Sequence, residues 1–170
     1  MFAVGMLLAG CSSDSPSSSS ALTTDAAINR LVAAGISQAQ AKQFAQAQTT
    51  FHDVLSLDPG NQYAWYNLGV IAQAQNHAKT AVSDYQQAIM SNPRDTSAMY
   101  NEAIALEPTN KQQSLSLYKQ IVAINPKAAT AYLRMSFLYD EMGDNTDAVA
   151  ARNKATTLDP ALGSVTTPTT

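Results

Sequence analysis

Large and small residues recur four positions apart through most of the chain: Leu31 with Gly35, Trp65 with Gly69, Met99 with Ala103, Tyr132 with Ser136. A separation of four puts both members of a pair on one helical face. A second set runs in the opposite order, with Ala47, Ala81, Ser114 and Ala148 each four residues before Phe51, Tyr85, Tyr118 and Arg152. Small residues let two antiparallel helices approach closely, and the large ones are expected to fill the gap against the following unit. Each pair of sets ends at a stop: Leu57-Asp58-Pro59, Ser91-Asn92-Pro93, Ile124-Asn125-Pro126 and Leu158-Asp159-Pro160, spaced by 34, 33 and 34 residues. Proline disfavours helix in the residue before it, yet it fits the first turn of the next helix. The period is therefore one helical hairpin, written four times.

The third unit departs from its neighbours. It is one residue short, carries Glu102 where they have Leu68 and Met135, and contains Pro108. That proline is expected to end the unit's first helix early, with Asn110 capping a second helix from about Lys111 to Ile124. Glu102 is expected at a solvent rim. In the fourth unit the aromatic column holds Arg152, with Asn153, Lys154 and Thr156 nearby. A stacked array needs a polar outer face where no further unit covers it, so the array is expected to stop there.

Composition agrees with an all-helical chain. Of 170 residues 29 are alanine, 14% are charged and 7% aromatic, and alanine loses no side-chain entropy in a helix. Ten Lys and Arg stand against 13 Asp and Glu, for a net charge of −3, with no basic stripe. A nucleic-acid partner is disfavoured, because duplex binding relies on clustered cations.

The columns resemble the tetratricopeptide repeat. Ala64-Trp65-Tyr66-Asn67-Leu68-Gly69 through Ala81, Tyr85, Ala88 and Pro93 follows that family's pattern almost throughout. Lys42 to Ala47 with Phe51 and Pro59, and Gly143 to Ala148 with Pro160, follow its second helix. The resemblance implies an α-solenoid of about four hairpins in a right-handed superhelix, in units of about 26–60, 61–93, 94–126 and 127–160. It also implies a concave surface lined by the first helices. The columns on that surface read Val32, Tyr66, Tyr100, Leu133 and Ile36, Val70, Ile104, Phe137, with Tyr63 at the rim and Asn67, Asn101 and Arg134 in a further column. In related repeats an asparagine at that place hydrogen-bonds the backbone of a bound peptide, and a carboxamide suits this by donating and accepting at once. Apart from Arg134, the cations with which some relatives clamp a peptide carboxylate are missing.

The N-terminal segment carries a different signal. Residues 1–10 are apolar and uncharged, and Leu8-Ala9-Gly10-Cys11 followed by Ser12 resembles the lipobox of bacterial lipoproteins. The resemblance implies a signal peptide over 1–10 and lipidation of Cys11. No Lys or Arg precedes the apolar run, so the true start is expected upstream of Met1. Ten residues are too few to span a bilayer. Residues 11–25 are rich in serine and read as a flexible tether, and 161–170 as a disordered tail. Cys11 is the single cysteine, which excludes an internal disulfide and a cysteine-based zinc site.

Catalytic signatures are missing. His52 and His77 fall in different repeats without a ligand partner at metal spacing, and the sequence holds neither a phosphate loop nor a nucleophile elbow. Asp140, Glu141, Asp144 and Asp147 cross a helix-to-turn junction, where capping and solvation account for them. No catalytic residue, metal or cofactor is expected. The function expected is a lipid-anchored, extracytoplasmic adaptor that binds a protein or peptide in its groove, as a monomer. In a cell with two membranes, Ser12 after the lipidated cysteine points to the outer one, and in a cell with one membrane to its outer face. The alternative is a self-associating subunit of an envelope assembly.

Overall fold

The four Asx-Pro junctions set the frame. In a computed structural model that describes residues 17–165, Asp58, Asn92, Asn125 and Asp159 each accept, on a side-chain oxygen, the backbone N–H two residues on, at 3.0 to 3.2 Å. This Asx turn fixes the reversal that proline opens. Asn61, Asp95, Asn110 and Asp144 then cap the helices that follow a turn, each accepting from first-turn N–H groups.

Eight α-helices result among the described residues: α1 (Ser17–Gln40), α2 (Phe44–Leu57), α3 (Gln62–Ala74), α4 (Ala78–Ser91), α5 (Thr96–Leu106), α6 (Lys111–Ile124), α7 (Ala129–Glu141) and α8 (Asn145–Leu158). They pair as hairpins α1–α2, α3–α4, α5–α6 and α7–α8, and each hairpin packs on the next in chain order. No strand occurs among the described residues.

The core of each of the first two hairpins is a ring laid on a residue too small to hold it off. A Cβ added at Gly35 would lie 2.8 Å from the Phe51 ring, and one at Gly69 would lie 2.7 Å from the ring of Tyr85. Phe51, Tyr85 and Tyr118 are fully buried. The large column thus fills space inside its own hairpin and also joins the core of the following unit, as the sequence pattern suggested: Phe51 clusters with Leu68 and Ile71, and Tyr118 with Met135 and Leu138. In the third repeat two small residues meet instead: Ser114 Oγ donates to the Ala103 carbonyl at 2.9 Å.

Three of the hairpins turn through one left-handed residue, Lys42 (φ 59°), Asn76 (φ 61°) or Gly143 (φ 82°). The third turns differently. Helix α5 ends at Leu106, just before Pro108 as expected, and the Leu106 carbonyl collects the N–H groups of Thr109 (3.0 Å) and Asn110 (2.7 Å). Asn110 caps α6 by accepting from Gln113 N–H at 3.1 Å, over the span read from the sequence.

Three expectations are corrected. Helix α1 begins at Ser17, inside the segment read as a tether over 11–25, because neither proline nor glycine interrupts the chain between Ser17 and Gly35. At the other end Pro160–Ser164 form a 3-10 turn rather than part of a disordered tail. Its Leu162 packs on Leu133, Phe137 and Ala155, apolar surface that a fifth repeat would otherwise cover. Arg152 completes this end, its guanidinium 5.2 Å from the Phe137 ring centroid while Nη1 donates to the Val165 carbonyl at 3.2 Å. The third correction is Glu102, which is 3% exposed rather than at a rim. It lies on α5 against α4, where Gln86 Nε2 donates to its Oε1 at 2.8 Å. The signal segment 1–10, Cys11 and residues 166–170 lie outside the described residues.

Burial pushes the Glu102 carboxyl above its ordinary range, and the Gln86 hydrogen bond lowers it only in part. Asp84 on α4 is likewise pushed up, to about 6, by burial, against the opposing pull of His52. A carboxyl whose folded pKa is raised binds its proton more tightly in the native state, so stability falls as pH rises from the ordinary carboxylate range to about 6. Thermal melts are expected to show a midpoint that declines from pH 4.5 to pH 7. Replacing Glu102 with Met, the residue at the equivalent Met135, is expected to raise stability at neutral pH by about 1–3 kcal/mol and to flatten that slope. Gly69→Ala should cost about 1–3 kcal/mol in chemical denaturation, because its methyl meets the backed-up Tyr85 ring.

Candidate functional site

Two of the sequence-predicted tyrosines are held by the packing beneath them. The Tyr66 ring lies 5.9 Å from that of Tyr85, tilted by 52°, and Tyr100 meets Tyr118 edge-on at 5.4 Å. The buried partners are anchored in turn: Tyr85 Oη donates to Gln73 Oε1 and Tyr118 Oη to Glu107 Oε1, both at 2.8 Å. Burial raises the pKa of both buried phenols, so each remains a hydrogen donor. Tyr66 and Tyr100 are thereby fixed one repeat apart and half-exposed on α3 and α5.

A trough runs past them. Its first part, of ≈ 440 Å³, is lined by Gln62, Tyr63, Tyr66, Asn92, Arg94, Asp95, Thr96 and Ser97. The second, of ≈ 380 Å³, shares Tyr66, Thr96 and Ser97 and adds Tyr100, Asn101, Ile121, Asn125, Ala128, Thr130 and Ala131. No charged side chain lines the second part. Asn101 Nδ2 donates to Tyr66 Oη at 3.0 Å and ties α5 to α3 across the floor.

Four of the expected groove residues therefore come together: Tyr63, Tyr66, Tyr100 and Asn101. Tyr63 is 58% exposed at the rim, as its position suggested. Val70 is exposed but lies outside the trough lining, and Val32, Ile36 and Ile104 are half-buried against the core. Asn67 turns back onto its own helix, donating to the Tyr63 carbonyl at 2.7 Å.

The fourth repeat corrects the expectation. Leu133 and Phe137 are 5% and 4% exposed, covered by Leu162 and Arg152, so they offer a ligand almost no surface. Arg134 is also committed. Its Nε donates to Glu107 Oε1 at 2.8 Å and its Nη2 to Glu107 Oε2. Burial alone would lower the guanidinium pKa, but the hydrogen bond and charge of Glu107 outweigh it and hold the proton more firmly. A cleft of ≈ 490 Å³ beside this pair is bordered by a second ion pair, Lys111 with Glu141 at 3.1 Å.

Sequence reasoning missed Glu107, Thr96, Ser97, Asn125 and Thr130. A signal for the first was present: Gln73 precedes Tyr85 by twelve residues and Glu107 precedes Tyr118 by eleven, each supplying the acceptor for the buried hydroxyl. The others come from helix starts and from the turn between α6 and α7, where spacing carries no such signal.

His52 and His77 are exposed on α2 and at the start of α4. Among the described residues no group of His, Cys, Asp and Glu is arranged to hold a metal ion. Two of the acidic residues around the end of α7 have structural partners: Glu141 pairs with Lys111, and Asp144 accepts from Asp147 N–H at 3.2 Å. No described helix is long and apolar enough to cross a membrane.

Residues 38–101 and 129–162 match models of the tetratricopeptide repeat. Among curated proteins none matches the sequence. The chain resembles a crystal structure of MamA with a TM-score of 0.74 and 19% identity, covering 86% of this chain and 87% of that one. It resembles MamA 41-end from Desulfovibrio magneticus RS-1 with a TM-score of 0.70 and 21% identity, over 81% and 78%. A further MamA crystal structure aligns with a TM-score of 0.71 and 18% identity, over 89% and 82%. At such identities the likeness is one of fold. Stacked hairpins, repeat models at two places and these neighbours agree: the chain is an α-solenoid of tetratricopeptide repeats.

Proposed function

We propose that the chain is a non-enzymatic adaptor that holds a segment of a partner protein in the trough over Tyr66 and Tyr100 and is tethered to a bacterial membrane through an acylated Cys11. The observation that carries the binding half is the pair of half-exposed tyrosines, fixed from below by Tyr85 and Tyr118 and joined by the Asn101–Tyr66 hydrogen bond. Rings held in this way lose little freedom on binding, so more of the contact energy remains as affinity. Tandem repeats, whose first helices present such surfaces in series, support a scaffold role.

The tethering half rests on Leu8-Ala9-Gly10-Cys11. A lipid anchor confines the chain to a surface and raises the effective concentration of a weak trough ligand.

Tyr66→Ala with Tyr100→Ala is expected to reduce capture of cellular partners by crosslinking at least about tenfold, with the circular dichroism spectrum retained. Undiminished capture by a folded double variant would place the contact elsewhere. For the anchor, radiolabelled palmitate is expected to enter the full chain in a bacterial host and to be lost in Cys11→Ala. An unlabelled parent protein would remove the tether from the reading.

A further inference from the structure

We propose that the segment held in the trough is uncharged, extended and contains proline, an inference that rests on the trough being the binding site. Two observations point to this chemistry.

The first is the balance of donors and acceptors. The Tyr66 oxygen already accepts from Asn101, so its own hydrogen is left for a ligand. Asn125 Oδ1 accepts from Lys127 N–H at 3.1 Å, leaving its NH₂ group to donate. Asp95, the one carboxylate of the lining, caps α5 through Oδ1, which accepts from Ser97 N–H at 2.9 Å and Ala98 N–H at 3.1 Å. The Tyr66 hydroxyl and the Asn125 amide are thus two donors that line the trough. A proline-containing backbone is the matching ligand, because it has fewer N–H groups and, in its extended left-handed form, makes no internal hydrogen bonds and leaves its carbonyls outward.

The second observation is charge and shape. Beneath Tyr100 and Asn101 the lining holds no ionised group, and in the outer part Arg94 and Asp95 cancel. A charged peptide would give up hydration there without gaining a counter-charge. Tyr63, Tyr66 and Tyr100 supply aromatic faces along the path, the surface on which pyrrolidine rings dock in aromatic-lined grooves.

The test is isotope-edited NMR titration of the full chain with four synthetic peptides: a neutral one with proline at every third position, its proline-to-alanine counterpart, and two counterparts carrying aspartates or lysines. The neutral proline peptide is expected to shift resonances around Tyr66, Tyr100 and Asn101. Its Kd should change by less than about twofold between low and high salt. Replacing the prolines should weaken binding about tenfold, since the ordering cost then returns. A charged peptide that binds there as tightly as the neutral one overturns the inference while leaving the trough as the partner site. If the neutral proline peptide leaves these resonances unmoved, the inference falls. If, in addition, the Tyr66→Ala, Tyr100→Ala variant captures partners normally, the proposed function falls with it.

Discussion

Close approach of two helices, permitted by a residue without a side chain and filled by one flat ring, is the contact on which the rest of this molecule depends. Phe51 on Gly35 and Tyr85 on Gly69 leave no room for a methyl group. Each ring contributes roughly 1.5–3 kcal/mol of burial, comparable to a large share of a domain's net stability. Its geometric effect matters as much. A hairpin closed to this distance has one width, and hairpins of one width stack regularly. The rings also reach through to the trough, because Tyr66 rests on Tyr85 and Tyr100 on Tyr118.

The third repeat shows how such an array absorbs irregularity. Pro108 shortens α5, and the turn is rebuilt around the Leu106 carbonyl instead of a left-handed residue. The shortened end carries Glu107, which receives both the Tyr118 hydroxyl and the Arg134 guanidinium and so welds the third repeat to the fourth. One helix turn earlier, Glu102 enters the joint with the second repeat, held by a neutral amide alone. The two carboxylates face opposite neighbours. Glu107 lies against a cation and Glu102 against none, so the joint at Glu102 is the one that ionisation weakens.

The concave columns consequently divide. In the second and third repeats Tyr66 and Tyr100 stay open on a trough whose charged lining residues, Arg94 and Asp95, balance. In the fourth the columns are consumed by the chain itself, through Leu162, Arg152 and the Arg134–Glu107 pair. The end of the solenoid thus uses its share of these columns for closure, and the proposed binding draws on the share left open.

The hairpin period, the Asx-Pro junctions, the early end of α5 and the Asn110 cap were all legible in the sequence, because each depends on residues within a few positions of one another, where proline geometry and capping act directly. Tyr66 and Tyr100 were legible as one column, and Asn101 as a member of the next, for the same reason: a repeat places equivalent residues on equivalent faces. Which members of a column remain open was not legible. Leu133 and Phe137 occupy the same register as Tyr66 and Val70, and only the fold of Pro160–Ser164 onto them decides that they are buried. Arg134 read as a free cation until α7 came to rest beside Glu107, and Glu102 read as a rim residue until α4 packed over it. Local chemistry determined the number and order of the helices. Burial and charge pairing are sums over neighbours distant in the chain, so the tertiary structure alone decided which surfaces were left for a partner.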